Sequence, residues 1–219
     1  MAVIHHTTMN PTKLELLASW LPSQPWYVAT GRAPELAKAG GFRLDDPQGE
    51  VGIEFMVVTD GSGDGAVAYH LPLTYRGAPL DGADAALVGT SEHGVLGKRW
   101  VYDGIHDPVL VERLLALLEG RAEPQAQSET GAPDRSVTGR FDGVGLTAVT
   151  GPDAVNDGPH GTDLAVRAAG DTGSPLTLGV TRVLRADGPA EGRGQVTAEW
   201  QSPDGSRNRV AFVVVRESR

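Results

Sequence analysis

The stretch "RWVYDGIHDPVLVERLLALLEG", residues 99–120, sets Tyr102, Asp103, His106 and Asp107 directly ahead of an apolar run. Its reading decides whether the chain carries a catalytic loop here or a strand that hands over to a helix. Local physics favours the handover. Asp107 is a strong N-cap, because a short carboxylate accepts from the first free backbone N–H groups. Pro108 suits the first helical position, where its missing N–H leaves nothing unsatisfied. Val109, Leu110, Leu114, Leu115, Leu117 and Leu118 then give a broad apolar face, and Gly120 with Arg121 closes the helix. Asp103-Gly104 reads as a turn. His106 has the chemistry of a general base, yet no Ser or Cys nucleophile is signalled near it.

Working toward the N-terminus, "KRWVYDG" and "ADAALVGTSEHG" read as strands, as does "GAVAYHLPLTYRG". "GFRLDD" and "GEVGIEFMVVTDG" form a hairpin around "DPQGE". The intervening "TDGSGDG", residues 59–65, has the start of a calcium loop, with Asp60, Ser62 and Asp64 alternating. The twelfth position of such a loop needs a bidentate Glu and is Leu71 here, so a Gly/Asp turn is the better reading. In "NPTKLELLASWLPSQ", Asn10 and Pro11 predict a helix start, Leu14, Leu17 and Trp20 an apolar stripe, and Pro22 the stop. "MAVIHHTT" at the start reads as an edge strand.

Toward the C-terminus, residues 121–136 are polar, rich in Pro, Ala and Gln, and aperiodic, which predicts a linker or exposed loop. Six strand-like runs follow, "VTGRFDG", "GLTAVTG", "TDLAVRAAG", "PLTLGVTRVLRADG", "GQVTAEWQSPDG" and "NRVAFVVVRES". Turns separate them, with "QSPDGSRN" a clear hairpin. "NDGPHGTD", residues 156–163, reads as turn chemistry only.

Composition narrows function. The 219 residues suit one large or two small domains, with net charge −9 and no Lys/Arg run, which argues against nucleic acid. Absence of Cys excludes disulfides and Cys-based zinc sites. The scattered histidines lack metal-ligand spacing, no stretch has membrane-spanning length, and no phosphate loop, nucleophile elbow or dinucleotide fingerprint occurs. A bacterial-type cytoplasmic protein without cofactor or metal is the expectation. The aromatic residues Trp20, Trp26, Tyr27, Tyr69, Tyr75, Trp100 and Tyr102 are candidates for a sugar-stacking surface, though such side chains more often fill a core.

"WLPSQPWY", residues 20–27, resembles the opening of the N-terminal cap of actinobacterial maltokinases and related glucosamine kinases, with Pro25 where those kinases often carry Arg. "AYHLPLTYRGAPL", "ALVGT" and "GKRWVYDGIHDPVLVERLLALL" look like the continuation of that cap. The resemblance runs over residues 1–120. It implies an α+β fold, a curved cystatin-like antiparallel sheet with packed helices, followed over residues 137–219 by an antiparallel β region similar to the kinase intermediate subdomain. In that mapping Arg167 of "TDLAVRAAG" stands where a nucleotide-binding lysine is expected. Nothing here resembles the kinase catalytic loop and its metal-binding residues, so no phosphotransfer and no catalytic residue is expected. The implied role is that of an accessory or regulatory partner in maltose, trehalose or glycogen metabolism, docking on a sugar kinase or glucan enzyme. The alternatives are a module for a sugar or sugar phosphate, with Trp20, Trp26, Tyr27, Tyr69, Trp100 and Tyr102 as its aromatic cluster, or a glucan enzyme with facing carboxylates about 5–10 Å apart.

Overall fold

The computed structural model describes residues 8–127, 132–143, 145–151, 154–169, 175–185 and 192–218. The strand expected in the first eight residues lies almost wholly outside them, as do His5 and His6. The first described strand is the short β1 (Met9–Asn10), followed by α1 (Lys13–Trp20). The helix is capped by Thr12, not Asn10. The Thr12 hydroxyl accepts the Glu15 N–H at 3.3 Å, and the Glu15 carboxylate accepts the Thr12 N–H at 2.7 Å. Two otherwise free donors are satisfied reciprocally, which fixes the start at Lys13.

An antiparallel meander follows: β2 (Leu36–Leu44), β3 (Gly52–Asp60), β4 (Val67–Arg76), β5 (Leu87–His93) and β6 (Gly97–Asp103). In the β2–β3 connection, Asp46 accepts the N–H groups of Gln48, Glu50 and Val51. The calcium-like stretch is indeed a hairpin connection, where Asp60 accepts from the N–H groups of Glu35 and Ser62. Strands β3 and β4 are buried along nearly their whole length, on both faces, which explains their near-continuous apolar sequence.

Helix α2 (Pro108–Leu118) begins as the sequence predicts, with the Asp107 carboxylate accepting the Val109 N–H at 3.0 Å. Then come β7 (Gln125–Ala126), β8 (Thr138–Phe141), β9 (Thr147–Ala148), β10 (Val155–Gly158), β11 (Gly161–Arg167), β12 (Leu176–Thr181), β13 (Val183–Leu184), β14 (Gly194–Gln201) and β15 (Arg207–Glu217). Strand β7 pairs with β2, so part of the expected linker lies along the sheet.

The expected α+β class is overturned. Among the described residues there are two α-helices, whereas the strands join into a single 15-stranded sheet, so the fold is β-rich. Segments too rich in Ala, Gly or Asp to read as strands, such as Leu36–Gly40 and Val155–Gly158, obtain their structure from cross-strand pairing instead of intrinsic preference. No helix among the described residues is long and apolar enough to cross a membrane.

The sheet also closes on itself. Strand β4 pairs with β3, β3 with β2, β2 with β14, β14 with β15, and β15 with β12. The chain of β12 runs on through Arg182 into β13, which pairs back with β4, and the His70 N–H donates to the Arg182 carbonyl at 2.9 Å. This ring is a barrel, and β2 and β14 meet in it through a single residue pair, Trp200 facing Gly40. The contact follows a β-bulge, and Gly41 beside it has φ +120°, with a Cβ there overlapping the Phe55 carbonyl oxygen. Inside the ring, Phe42 and Phe55 stack at 4.5 Å and His70 lies 4.3 Å from Phe212. Helix α2 belongs to this core, with Leu110, Val111, Leu114, Leu115, Leu117 and Leu118 all buried. A second core lies on the opposite face of β3 and β4, under α1.

Two wings leave the ring. Strands β6, β5 and β1 extend from β4, while β11 and β10 extend from β12. Strand β4 is therefore shared along one edge, by β6 at Leu73–Arg76 and by β13 at Ala68 and Tyr69. Arg182 sits where the wings diverge.

Candidate functional site

The aromatic candidates fall into two groups. Trp20, Trp26, Tyr27 and Tyr69 come together, with ring centroids 5.7 Å apart for Trp20–Trp26, 6.0 Å for Trp26–Tyr69 and 5.8 Å for Tyr27–Tyr69. Trp20, Trp26 and Tyr69 are buried in the core beneath α1. Tyr69 donates no ring face to solvent; its hydroxyl accepts the Val28 N–H, and burial pushes its pKa up to about 12. Tyr102 lies apart, buried among Ala83, Ala86 and Trp100, with its hydroxyl accepting the Leu80 N–H at 2.9 Å. Trp100 is half-buried under the Lys98 ammonium. Sugar stacking needs an open ring face; of these rings, Tyr27 and Trp100 retain partial exposure.

The opening stretch leads instead to a charged joint between the wings. Asp103 ends β6 and accepts from Arg182 Nη2 at 2.6 Å. Arg182 Nε donates to the Thr162 hydroxyl at 2.7 Å, and that hydroxyl donates to Asp157 at 2.5 Å. The other Asp157 oxygen faces His106 Nε2 at 3.3 Å. Arg182 is fully buried, and its guanidinium also lies over the Trp26 ring at 5.1 Å. The chain of contacts thus ties β6 and the turn after it to β10, β11 and the β12–β13 junction.

The electrostatics follow. The hydrogen bond to Asp157 raises the His106 pKa against the opposing effect of burial, with the charges of Asp103 and Asp157 adding to the rise and that of Arg182 subtracting. Burial alone would raise the Asp157 pKa, but His106, Thr162 and Arg182 outweigh it and the net shift is downward. With His106 protonated, two carboxylates face two cations and the joint is neutral. His70, inside the ring, is the opposite case. Burial, aided by Arg182, pushes its pKa down to about 3, so the ring is neutral and donates Nδ1–H to the Thr181 carbonyl at 3.0 Å.

Two more carboxylates are engaged. Asp107, besides capping α2, accepts two hydrogen bonds from Arg76, at 2.6 and 2.7 Å. Glu54, buried on β3, takes Lys13, Tyr75 and Gln127 at 2.5, 2.6 and 3.0 Å.

The joint has several features of an active site, with His106 and Asp157 partly open at 29% and 26% exposure and Asp103 and Arg182 buried. Donor atoms of Asp103, His106 and Asp157 lie within 4.8 Å of one another. A glycosidase pair must straddle an open cleft, however, and the Asp103 side chain is 3% exposed and bound to Arg182. The Thr162 hydroxyl is engaged as both donor and acceptor, so it offers His106 no nucleophile. A divalent ion would sit beside the Arg182 guanidinium, and both carboxylates already have partners.

Sequence reasoning found His106 and Asp107 but missed Asp157, Thr162 and Arg182. One signal was present. Leu176, Leu178, Val180, Arg182 and Leu184 share one parity of an alternating strand, so Arg182 occupies an inward position that demands a buried partner.

Residues 20–107 match the family model described as the maltokinase N-terminal cap domain. The matched stretch covers β2 through β6 and stops at the Asp107 cap of α2, so the barrel combines strands inside the match with β12 to β15 outside it. No curated protein matches the chain.

Proposed function

Since residues 20–107 are a relative of the maltokinase N-terminal cap domain, we propose that the chain is a non-catalytic, cap-like accessory protein of cytoplasmic α-glucan metabolism. It acts by docking on a sugar kinase or another enzyme that handles maltose, trehalose or glycogen. The family match is the observation that carries this reading, because the matched unit is a cap and not a phosphoryl-transfer domain. The charged joint is consistent with it. Its acid and base side chains are hydrogen-bonded to one another, which suits holding two wings together better than turning over a substrate.

The test has two arms. Purified protein with ATP, magnesium and maltose or glucosamine should give no phosphoryl transfer above background, and ATP should not raise its melting temperature. Added to a maltokinase, the protein should form a complex in sedimentation and change the kinase kcat/KM. Turnover, or an ATP-dependent shift of several degrees, returns the kinase reading. Unchanged kinase kinetics with no complex removes the docking role.

A further inference from the structure

The second wing carries a feature that this reading does not use. Side chains at Leu164, Val166, Leu176, Leu178, Val180, Val213 and Val215 point into the core. The alternate positions of β10, β11, β12 and β15 therefore form the outer face. Register places Asn156, Asp163, Gly179 and Val214 in one cross-strand row, and Gly158, Gly161 and Thr181 in the next. Three neighbouring outer positions thus lack side chains, and a hollow of about 330 Å³ opens above them.

The glycines have different causes. Gly161 is required by the backbone, since its φ is +149° and a Cβ would overlap the Val180 carbonyl. Gly179 makes room for Arg216, whose guanidinium crosses β12 to reach Asp163 at 2.6 Å; a Cβ at Gly179 would meet that guanidinium. Gly158 closes β10 beside the Pro159–His160 turn, and the nearest atom to a Cβ there is 3.8 Å away, so the position is open toward the hollow.

We propose that this hollow is a binding site for a small hydroxylated oxyanion, a carboxylate or a phosphate monoester. Arg216 supplies the cation, and Asp163 takes one of its N–H groups and holds the guanidinium over Gly179. A guanidinium offers five donors in a fixed fork, so the remaining N–H groups address an oxyanion in bidentate fashion. Asn156, Thr181 and His160 ring the same space and can pair with hydroxyl groups. The volume lies at the small end of ligand sites, which fits a molecule of a few carbons. The proposal is independent of the accessory role, because the hollow lies outside the cap-like region.

Glycerol 3-phosphate and glycerate are the probes, with glycerol and sodium chloride at matched ionic strength as controls. Binding is read from the His160 ring resonances and from calorimetry. One or both oxyanions should bind saturably, and comparing them tells phosphate from carboxylate. Arg216→Gln should weaken binding about tenfold or more, the loss expected for a charge-assisted bidentate contact. Gly158→Val should abolish binding by filling the floor while leaving the melting temperature nearly unchanged, since open space surrounds that position. Equal responses to sodium chloride, no saturable binding of either probe, or full retention of binding in the folded Gly158→Val variant would each overturn the proposal.

Discussion

Asp107 shows what one residue reveals about itself. Its role as the cap of α2 was legible because the signal is local, an Asp-Pro step before an apolar helix. Its second role was not, because Arg76 lies on another strand. The two roles change the expected cost of removing it. A cap alone is worth about 0.5–2 kcal/mol. Here Asp107→Ala also strands the Arg76 guanidinium, and breaking a buried pair costs about 3–5 kcal/mol. Because the Arg76 side chain is 20% exposed, the lower end applies, so urea unfolding should show a loss of about 3 kcal/mol. Asp107→Asn keeps the cap acceptor and should lose less. A loss under about 0.5 kcal/mol for Asp107→Ala would remove both roles. His106 was legible as a titratable group without a nucleophile, but its partner Asp157 is distant in sequence and hidden in a stretch that reads as a turn.

At the scale of elements, legibility followed length and punctuation. The strands from β2 to β6, the β14–β15 hairpin and α2 are bounded by Gly, Asp or Pro and filled with apolar residues, so their existence could be read. Short β7, β9 and β13 could not, since two residues carry no period. Strand β10, Val-Asn-Asp-Gly, has poor strand propensity and is held by pairing with β11. Helix α1 was read correctly but capped in the wrong place. Asn10-Pro11 is a good local signal, and Thr12 with Glu15 is a better one because it satisfies two donors at once. The candidate site suffered most. Its aromatic members are elements of two cores, and the groups that do converge come from β6, β10, β11 and the β12–β13 junction, which no local pattern brings together.

For the whole molecule, the two perturbed histidines set stability limits of opposite sign. His70 has a folded pKa of about 3, below the unfolded value of about 6.5. As pH falls below about 6.5 the unfolded chain binds the proton first, so stability declines by up to about 1.4 kcal/mol per pH unit. His106 has a raised folded pKa. Its contribution is complete below the unfolded value and is lost as pH rises through the folded one. Asp103, Asp157 and Arg182 all face it, the two carboxylates favouring the protonated ring and Arg182 opposing it. The urea midpoint should therefore peak near pH 6.5, with an acid limb that His70→Phe flattens and an alkaline limb that His106→Gln flattens. An alkaline limb unchanged in His106→Gln would remove the joint from the account. The lowered pKa values of Asp46, Glu54 and Asp157 add a further loss at lower pH, as these carboxylates protonate.

The central claim is that the ring of strands closes through Arg182, so that the cap-like region and the strands beyond it share one barrel. None of this was visible in the sequence, because closure depends on pairing between β4 and β13, more than a hundred positions apart. The His70 amide tests it most directly, since its N–H donates to the Arg182 carbonyl across the closing seam. In native-state hydrogen exchange that amide should be among the slowest, exchanging only with global unfolding, and Arg182→Met should accelerate it markedly by removing the buried contacts to Asp103 and Thr162. Fast exchange of the His70 amide in the unaltered protein, while β3 and β15 remain protected, would mean that the barrel is open at this seam.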